Sequence, residues 1–429
     1  MGRQFLWWLL LALALGLLLA APKLRRRFPH MGWYLVGFPA TVGRLLVTWR
    51  RLTTLCDLAV SRRPGLTRFG QLVVKGQALR PVPPRLGIPR LRRGGLVVPV
   101  RMHPGQVPDQ YTAAAEAITH AWKVHAVRVT SDARGRVLLS AVGADPLTSP
   151  AAARDPGRLL AAVVGAREDG APWLVDLRRV PHWLVTGATR SGKSTLIAAL
   201  VRTWAPQRLA LVGIDLKGGM ELAPFQPRLS ALATTRTEAA ELLGRLVEVT
   251  ATRMLICRTH GARSVWELDD KIRPVPVVVI VDEVAELFLS SGSREDKAEI
   301  IQTVTALIRL AQLGAALGVH LVIAGQRVGS DLGPGVTALR AQLAGRVCHR
   351  VNDQETAVMT LGDLNKDALA AAQQITPAEQ GVAIVAGDDG AWMRARSALV
   401  TPAQARAAAE QWAHLTPALD DLEEPGVYA

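Results

Sequence analysis

The residues best suited to chemistry lie in the stretch GATRSGKS, Gly187 to Ser194, which fits the pattern G-x-x-x-x-G-K-[ST]. The apolar stretch HWLVTG precedes it and the helical pattern KSTLIAALVRTW follows it, as this pattern requires. Its glycines allow backbone N–H groups to converge on phosphate oxygens at a helix N-terminus. We expect Lys193 to reach the β- and γ-phosphates of ATP and Ser194 to ligate Mg²⁺. The predicted nucleotide-binding residues are Gly187, Ala188, Thr189, Arg190, Ser191, Gly192, Lys193, Ser194 and Thr195.

Two adjacent carboxylates, Asp282 and Glu283, close the apolar run from Val275 to Val281. A buried parallel strand that ends in two carboxylates suits metal positioning and water activation. We expect Asp282 to join Ser194 in the Mg²⁺ shell, and Glu283 to polarise the attacking water. Gln326, at the tip of the strand VHLVIAGQR, either senses the γ-phosphate or positions the water, or only caps the strand. The predicted catalytic residues are therefore Lys193, Asp282, Glu283 and Gln326.

The elements that position these residues alternate between strand and helix. This alternation predicts an α/β domain over residues 151–415, with a mostly parallel sheet and helices on both faces. The later strands GRVCHRV, GVAIVAG and WMRARSALV are expected to extend that sheet. Residues 95–150 have the pattern strand, helix, strand, strand, which predicts a small α+β domain. Residues 416–429 form an acidic tail.

The composition favours a polyanionic partner. The formal net charge is +15 and the pI is about 10.7, which suits nucleic acid or anionic lipid, although an Arg-rich coding bias has the same effect. Cys56, Cys257 and Cys348 lie far apart and have no metal-ligand spacing. We interpret them as small hydrophobic residues in a reducing compartment, with no zinc site or disulfide framework.

The N-terminal region predicts a membrane anchor over residues 1–49. Phe5 to Ala21 is an uncharged apolar run of 17 residues, and a basic cluster follows it at Lys23 to Arg27. At about 1.5 Å per residue this run is roughly 25 Å long, the short end of what spans a bilayer. A cleaved signal peptide is the alternative, but the nucleotide site needs cytoplasmic ATP. A second apolar stretch, Met31 to Trp49, leaves open whether there are one or two spans.

The next segment, residues 50–94, is basic and contains five prolines. Proline removes helical hydrogen bonds, so the segment is expected to be a largely irregular linker. It either touches lipid headgroups or DNA phosphates, or serves only as a solvated connector.

With these motifs in view, residues 95 to about 400 resemble the FtsK/SpoIIIE family of DNA-pumping ATPases. The resemblance rests on the blocks VPHWLVTGATRSGKST, GIDLKGGMEL, VVVIVDEVAEL, VHLVIAGQR and GRVCHRVND, in the order of the family. It implies a RecA-like P-loop motor domain and a homo-oligomer, a hexameric ring that threads double-stranded DNA and is driven by ATP hydrolysis. It also implies that a neighbour's arginine completes each site, with Arg346 and Arg350 as candidates. Arg327, Arg340 and the loop 216–230 are expected to face the DNA channel.

Several features depart from the usual family pattern. Arg190 replaces a common glycine, and we expect its side chain to point outward; Leu216 stands where many members carry proline. We expect no winged-helix module after the last strand. The compact form resembles the transfer proteins of actinobacterial conjugative plasmids and integrative elements.

The expected function is therefore that of a membrane-anchored, ATP-driven translocase of double-stranded DNA for conjugative transfer. The anchor would place the protein in the cell membrane with the ATPase domain in the cytoplasm. A chromosome segregation motor at cell division and a protein-secretion motor are alternatives in the same enzyme class. Only one phosphate loop and no internal repeat are found, which argues against the secretion motor. A silent tether between membrane and DNA is the non-enzymatic alternative, and the intact Lys193, Asp282 and Glu283 argue against it.

Overall fold

A computed structural model describes residues 33–62, 80–92, 94–143, 145–148, 152–289, 292–362, 366–387 and 391–423. The predicted span Phe5 to Ala21 therefore lies outside the described residues. The chain divides into two compact units. The small unit comprises Met1–Thr148 and Glu168–Gly170. The larger unit comprises Ser149–Arg167 and Ala171–Ala429, and we call it the ATPase unit because it contains the predicted phosphate loop.

The small unit is an antiparallel sheet with helices on one face. Its first described element is a π-helical turn, Trp33–Gly37. Strands β1 and β2 pair with each other, and the main sheet has the order β3-β5-β7-β6, with β4 also on β5. The helices are α1 (Phe38–Leu55), α2 (Pro108–Ala113) and α3 (Ala115–Trp122); the strands are β1 (Val60–Arg62), β2 (Arg80–Val82), β3 (Arg85–Leu86), β4 (Arg90–Arg92), β5 (Gly95–Arg101), β6 (Ala126–Ala133) and β7 (Arg136–Val142).

The second apolar stretch folds into this unit. Leu45, Trp49 and Leu52 are buried along one side of α1 and share a core with Val98 and Trp122. Because this apolar side continues to Leu52, the helix runs past residue 50, where the sequence predicts an irregular linker. The linker segment also supplies strands β1 to β4. Within the described part of the chain, the one helix long and apolar enough to cross a bilayer lies in the ATPase unit and is half buried there.

The ATPase unit is built on a ten-stranded sheet in the order β12-β11-β13-β14-β10-β15-β16-β17-β8-β9. Its helices are α4 (Lys193–Trp204), α5 (Arg236–Thr259), α6 (Arg294–Leu317), α7 (Val336–Gln342), α8 (Gln354–Leu361), α9 (Lys366–Gln373) and α10 (Pro402–Gln411); its strands are β8 (Ala161–Arg167), β9 (Pro172–Asp176), β10 (His182–Thr186), β11 (Ala210–Ile214), β12 (Ala231–Ala233), β13 (Val277–Val281), β14 (Val319–Gly325), β15 (Gly345–His349), β16 (Val382–Ala386) and β17 (Trp392–Ser397). Short 3₁₀ turns connect them at Ala223–Arg228, Val265–Glu267, Val284–Phe288, Ser330–Leu332, Ala413–Leu415 and Asp420–Glu423, and one lies in the small unit at Pro146–Thr148.

The sheet has a parallel half and an antiparallel half. The strands from β12 to β15 are parallel, whereas β16, β17, β8 and β9 follow in antiparallel pairs. The later strands extend the sheet, which confirms that prediction. The alternation pattern in the sequence does not indicate the hairpin β8–β9, because a hairpin has no helix between its strands.

Helices cover both faces of the parallel half, as predicted. Every residue of β10, β11, β13 and β14 is buried, which fits strands covered on both faces. Leu200 of α4 packs in one core, while Leu243 of α5 and Leu307 of α6 pack in the other. The start of the predicted acidic tail also belongs to this unit, because Leu422 is fully buried and its carbonyl accepts a hydrogen bond from Arg253.

Candidate active site

The phosphate loop joins β10 to α4 and lies against the tips of two neighbouring strands. The Gly187 N–H donates to the carbonyl of Gly325 at the end of β14, at 3.2 Å. The Ala188 N–H donates to the carbonyl of Arg350, just past β15, at 2.9 Å. The loop therefore lies at the carboxyl edge of the parallel strands, where open α/β sheets bind their ligands.

Glycine is required in the loop for steric reasons. Gly192 has φ +115°, and a Cβ there would lie 2.4 Å from the Cα of Gly381. The Gly381 N–H donates to the Ser191 carbonyl at 2.8 Å, so this second glycine fixes the loop from the start of β16. No signal in the sequence pointed to Gly381, because its contact with the loop forms only in the folded sheet.

Arg190 has a left-handed backbone, a conformation that favours glycine. Its φ is +61°, in the left-handed region that is unfavourable for residues with a Cβ. Its side chain is exposed, which confirms the expected outward direction.

The N-terminus of α4 is suited to bind an anion. Gly192, the N-cap, supplies no side-chain hydrogen bond, so the first-turn N–H groups have no acceptor within the helix. The hydroxyl of Ser191 is buried beside them and has no hydrogen-bond partner among the described residues. Together with the helix dipole, these donors favour a phosphate group.

Lys193 and the two carboxylates form one buried cluster. The ammonium of Lys193 donates to the main-chain carbonyl of Asp282 at 2.8 Å, and lies 3.7 Å from Asp282 Oδ1 and 3.4 Å from Glu283 Oε2. Asp282 and Glu283 are 2% and 4% exposed. Both carboxylates directly follow β13, which lies between the parallel strands β11 and β14.

A second lysine belongs to this cluster. Lys217 Nζ lies 3.2 Å from Glu283 Oε2. Burial by itself lowers the pKa of Lys217, but the charge and hydrogen bond of Glu283, together with the charges of Asp282 and Glu286, outweigh this and raise the pKa. Asp215 shapes the loop that carries Lys217, because its buried carboxylate accepts from the N–H groups of Lys217, Glu221 and Leu222. The block GIDLKGGMEL contains both residues, but its spacing alone does not reveal that Lys217 reaches Glu283.

The position of Asp282 fits a Mg²⁺ ion. Its Oδ1 is buried without a hydrogen-bond partner among the described residues. Burial raises the pKa of Asp282, against the opposing effect of Lys193. Within the described residues no group of three or more His, Cys, Asp or Glu side chains could hold a metal. Mg²⁺ often takes only one or two protein ligands and completes its shell with water and phosphate, so Asp282 with Ser194 meets that need.

Gln326 contributes its backbone, and its side chain is exposed. The Gln326 N–H donates to Glu283 Oε1 at 3.0 Å, so Glu283 is held by Lys193, Lys217 and this amide. In the structure, Gln326 therefore contacts the site through its main-chain N–H, which binds the carboxylate of Glu283.

The two arginines predicted to reach a neighbouring subunit make contacts within their own chain. Arg346 donates to the Arg340 carbonyl at 2.7 Å, and burial lowers its pKa to about 10. Arg350 is half-buried and donates to the Thr189 carbonyl in the phosphate loop at 3.2 Å.

Of the residues predicted to face a DNA channel, Arg327 and Arg340 also have partners in the chain. Arg327 pairs with Glu355 at 2.9 Å, and Arg340 donates to the Val328 carbonyl at 3.2 Å. In the loop 216–230, Arg228 is fully buried and donates to the carbonyls of Ala205, Gln207 and Leu209. Arg228 therefore stabilises the fold.

Two family profiles match the chain. Residues 20–143 match the actinomycete conjugal transfer protein N-terminal domain. Residues 145–330 match the FtsK/SpoIIIE family, and these include the phosphate loop and both carboxylates.

Curated relatives agree with these matches. The transfer protein TraSA of Streptomyces ambofaciens is 40% identical over 87% of this chain and 92% of its own length. A sporulation regulatory protein of Streptomyces azureus is 50% identical over 58% of this chain and 81% of its own length. A DNA translocase FtsK of Caldanaerobacter subterraneus is 32% identical over 42% of this chain and 25% of its own length.

Among solved structures, the monomer form of the pCW3 conjugation coupling protein TcpA with ATPγS has a TM-score of 0.55. It is 18% identical, and the match covers 84% of this chain and 98% of TcpA. ATPases 2 and 3 of EssC from Geobacillus thermodenitrificans match with a TM-score of 0.50 and 17% identity, over 63% of this chain and 52% of theirs. At these identities the likeness shows a shared α/β fold.

Proposed function

This chain belongs to the FtsK/SpoIIIE family and carries the N-terminal domain of the actinomycete conjugal transfer proteins, and we propose that it is an ATP-driven translocase that moves double-stranded DNA across a membrane during conjugation. The observation that carries the proposal is the buried cluster of Lys193, Asp282 and Glu283 beside the uncapped N-terminus of α4. A cation, two carboxylates and free backbone N–H groups are what phosphoryl transfer to water requires.

Each group in the cluster has a role in ATP hydrolysis. The loop N–H groups and Lys193 bind the phosphates of ATP and offset their charge. Glu283 accepts a proton from, and orients, the attacking water; Lys217 and the Gln326 N–H fix its carboxylate in place. Ser194 and Asp282 would hold Mg²⁺, which, when bound, neutralises charge that develops on the phosphates.

DNA is the proposed cargo because of the relatives. The transfer protein TraSA matches most of this chain at 40% identity, and the FtsK relatives are named DNA translocases. The formal net charge of +15 supports a polyanionic partner. Transfer between cells also accounts for a membrane anchor, which we place at Phe5 to Ala21 on the grounds of its apolar sequence.

The motor is proposed to work as a ring of identical subunits, in which a neighbour's arginine completes each site. Arg350 is the better of the two candidates, because it donates to the Thr189 carbonyl in the phosphate loop, whereas Arg346 donates to the Arg340 carbonyl. Substitution of Arg350 by Ala should leave ATP binding intact and reduce hydrolysis in the assembled ring.

The experiment measures ATP hydrolysis by the full-length protein in detergent, with and without linear duplex DNA. We expect slow hydrolysis alone and faster hydrolysis with duplex, since a motor spends ATP when its track is present. Unfolded polypeptide serves as the parallel addition. Stimulation by polypeptide and not by duplex would favour the protein-secretion motor, and a rate that neither addition changes would refute the translocase.

A further inference from the structure

The sheet of the small unit gathers arginines on the face opposite its helices. Val98 and Val100 of β5 are buried in the core under the helices, so the residues between and beyond them point to the other face. Arg101 therefore lies on that outer face. The strand register places Arg101 directly between Arg85 of β3 and Arg136 of β7.

Two further arginines share this face. Arg90 pairs with Val97, and Arg92 pairs with Gly95, both at outward positions of β5. We call the set Arg85, Arg90, Arg92, Arg101 and Arg136 the arginine face. All five side chains are exposed. Arg128 lies on the same face but pairs with Glu168 at 2.8 Å, so it is not included.

Such an arrangement is unfavourable for folding alone. Like charges at directly opposite positions of an antiparallel pair destabilise a sheet. Arg85, Arg90, Arg92 and Arg101 take part in none of the ion pairs found between described residues. A bound polyanion would attract these arginines and so offset their mutual repulsion.

We propose that the arginine face binds the phosphate backbone of duplex DNA, as a contact surface separate from the ATPase unit. This inference rests on the proposed function, because it takes the transported DNA as the polyanion. The row Arg85–Arg101–Arg136 crosses three strands, about 10 Å at a strand spacing of about 4.8 Å. That length of duplex carries about six phosphates, so each guanidinium can reach one.

The outer face suits duplex better than single-stranded DNA. Single strands are bound largely through stacking of bases on aromatic rings. The outward positions between the arginines carry Val97, Pro99, Leu138 and Ser140, and none of these side chains is aromatic. The surface thus offers charge without stacking platforms.

Anionic lipid headgroups are the other polyanion to consider, and the vesicle measurement described below distinguishes them from duplex. Trp33, the first described residue, is bound at the far end of β5, where its indole N–H donates to the Gly95 carbonyl at 3.2 Å. Arg101 is six residues further along β5, a distance of about 20 Å at about 3.4 Å per residue. Arg101 and its partners Arg85 and Arg136 therefore lie at the opposite end of β5 from Trp33, whereas Arg92 lies at the same end.

The test compares two double variants of the full-length protein, each of which loses two positive charges. One is Arg85→Gln with Arg101→Gln. The matched control is Arg50→Gln with Arg51→Gln, two exposed arginines of α1 in the same unit but away from the outer face. Binding to a short duplex is measured by fluorescence anisotropy over a range of salt concentrations, and vesicle binding is measured by flotation with phosphatidylglycerol vesicles.

We expect the Arg85/Arg101 variant to bind duplex about 30-fold more weakly near 0.15 M salt, and to lower the log–log salt slope by about 2, at about 0.9 per phosphate contact. Its melting temperature should be no lower than that of the wild type, since a repulsion is removed. The control should retain the wild-type slope.

Three results would overturn the inference: an unchanged slope in the Arg85/Arg101 variant, an equal loss in both variants, or a loss of vesicle binding with duplex binding intact. The proposed function is judged separately by duplex stimulation of ATP hydrolysis in the wild type. If duplex stimulates the wild type and the arginine variant binds duplex normally, only this inference fails.

Discussion

Lys193, Lys217, Asp282 and Glu283 are gathered in a largely buried site of the ATPase unit, where lysine nitrogens and carboxylate oxygens lie 3.2 to 3.7 Å apart. The arginine face of the small unit is the opposite case, since its side chains are exposed and the register sets three of them side by side. The difference follows from solvent. A buried charge must be paired, because its desolvation is costly, whereas water screens exposed like charges and makes their repulsion tolerable.

The two regions also differ in how the sequence encodes them. The phosphate loop is a run of consecutive residues, whereas Arg85, Arg101 and Arg136 come from three separate strands and meet only through register. The comparison predicts large and local effects of substitution in the buried site, and small, salt-dependent effects on the arginine face.

The largest effect is expected for Lys193→Ala. Loss of the cation that we propose faces the phosphates should lower kcat for ATP hydrolysis by about 100- to 1,000-fold, the range for removal of one preorganised electrostatic group. Steady-state hydrolysis with saturating duplex measures it. Arg190→Ala, in the same loop but exposed, is the matched control and should keep kcat within a few-fold. Equal losses in both variants would mean that the loop as a whole, and not the buried ammonium, is responsible.

A second prediction tests whether a buried group without an ion-pair partner among the described residues, His320, stays uncharged in the ATPase unit. Burial, and next the charge of His182, lowers the pKa of His320 to about 3, from 6.5. Below pH 6.5 the unfolded chain therefore binds a proton at His320, whereas the folded chain does not. The free energy of unfolding is thus highest above pH 6.5 and falls as the pH drops below it. His320 alone should cost about 2 kcal/mol of unfolding free energy between pH 6.5 and pH 5.

Urea unfolding at the two pH values, followed by tryptophan fluorescence, measures this loss. His320→Asn keeps a side-chain N–H donor for the Pro181 carbonyl and should remove most of the pH dependence that His320 causes. His120→Asn, at an exposed position of the small unit, is the control and should leave the acid loss unchanged. An unaltered pH slope in the His320 variant would contradict the assignment.

The third prediction concerns Lys217, which pairs with Glu283 but lies outside the phosphate loop. Lys217→Met should lower kcat about 10-fold, as expected for a displaced general base, and leave KM for ATP nearly unchanged. Lys217→Arg should restore most of the rate, because it returns a cation to Glu283. A rise in KM with constant kcat would instead place Lys217 on the nucleotide.

Much of the buried site could be predicted from the sequence, because neighbouring residues define it. A phosphate loop needs strand, glycines, lysine and helix in unbroken order, and Asp282 and Glu283 directly follow an apolar strand. Lys217 and Gly381 could not be predicted, since their contacts with Glu283 and Gly192 depend on how distant loops fold over the strand ends.

The fold shows the same division. The parallel strands and the helices on both faces follow from the strand–helix alternation. From the sequence, Met31 to Trp49 is expected to span the membrane or to lie in its interface, but an apolar helix face can also lie against a protein core. Only the contacts of Leu45 and Trp49 with the sheet decide between them.

A fourth and smaller effect is expected at Arg190, whose left-handed backbone is strained for a residue with a Cβ but not for glycine. Arg190→Gly should raise the free energy of unfolding by about 0.5–1 kcal/mol, because relief of this strain exceeds the added freedom of the unfolded chain. Thermal unfolding checks the change, with Arg202→Gly in the middle of α4 as a contrast that should be destabilising. Destabilisation by Arg190→Gly would show that its side chain supports the loop.

The smallest effect should appear on the arginine face itself, with Arg101→Glu. A carboxylate opposite Arg85 replaces a repulsion by an attraction, so the free energy of unfolding should rise by about 0.2–1 kcal/mol for this cross-strand pair. Because the pair is exposed, 1 M salt, where the Debye length is about 3 Å, should remove most of the gain. Arg50→Glu on α1 has the same charge change without this cross-strand partner and should show little gain at low salt. A loss of stability in the Arg101 variant at low salt would mean that Arg101 already has an attractive partner, and that the arginine face, like the buried lysines, is held by pairing.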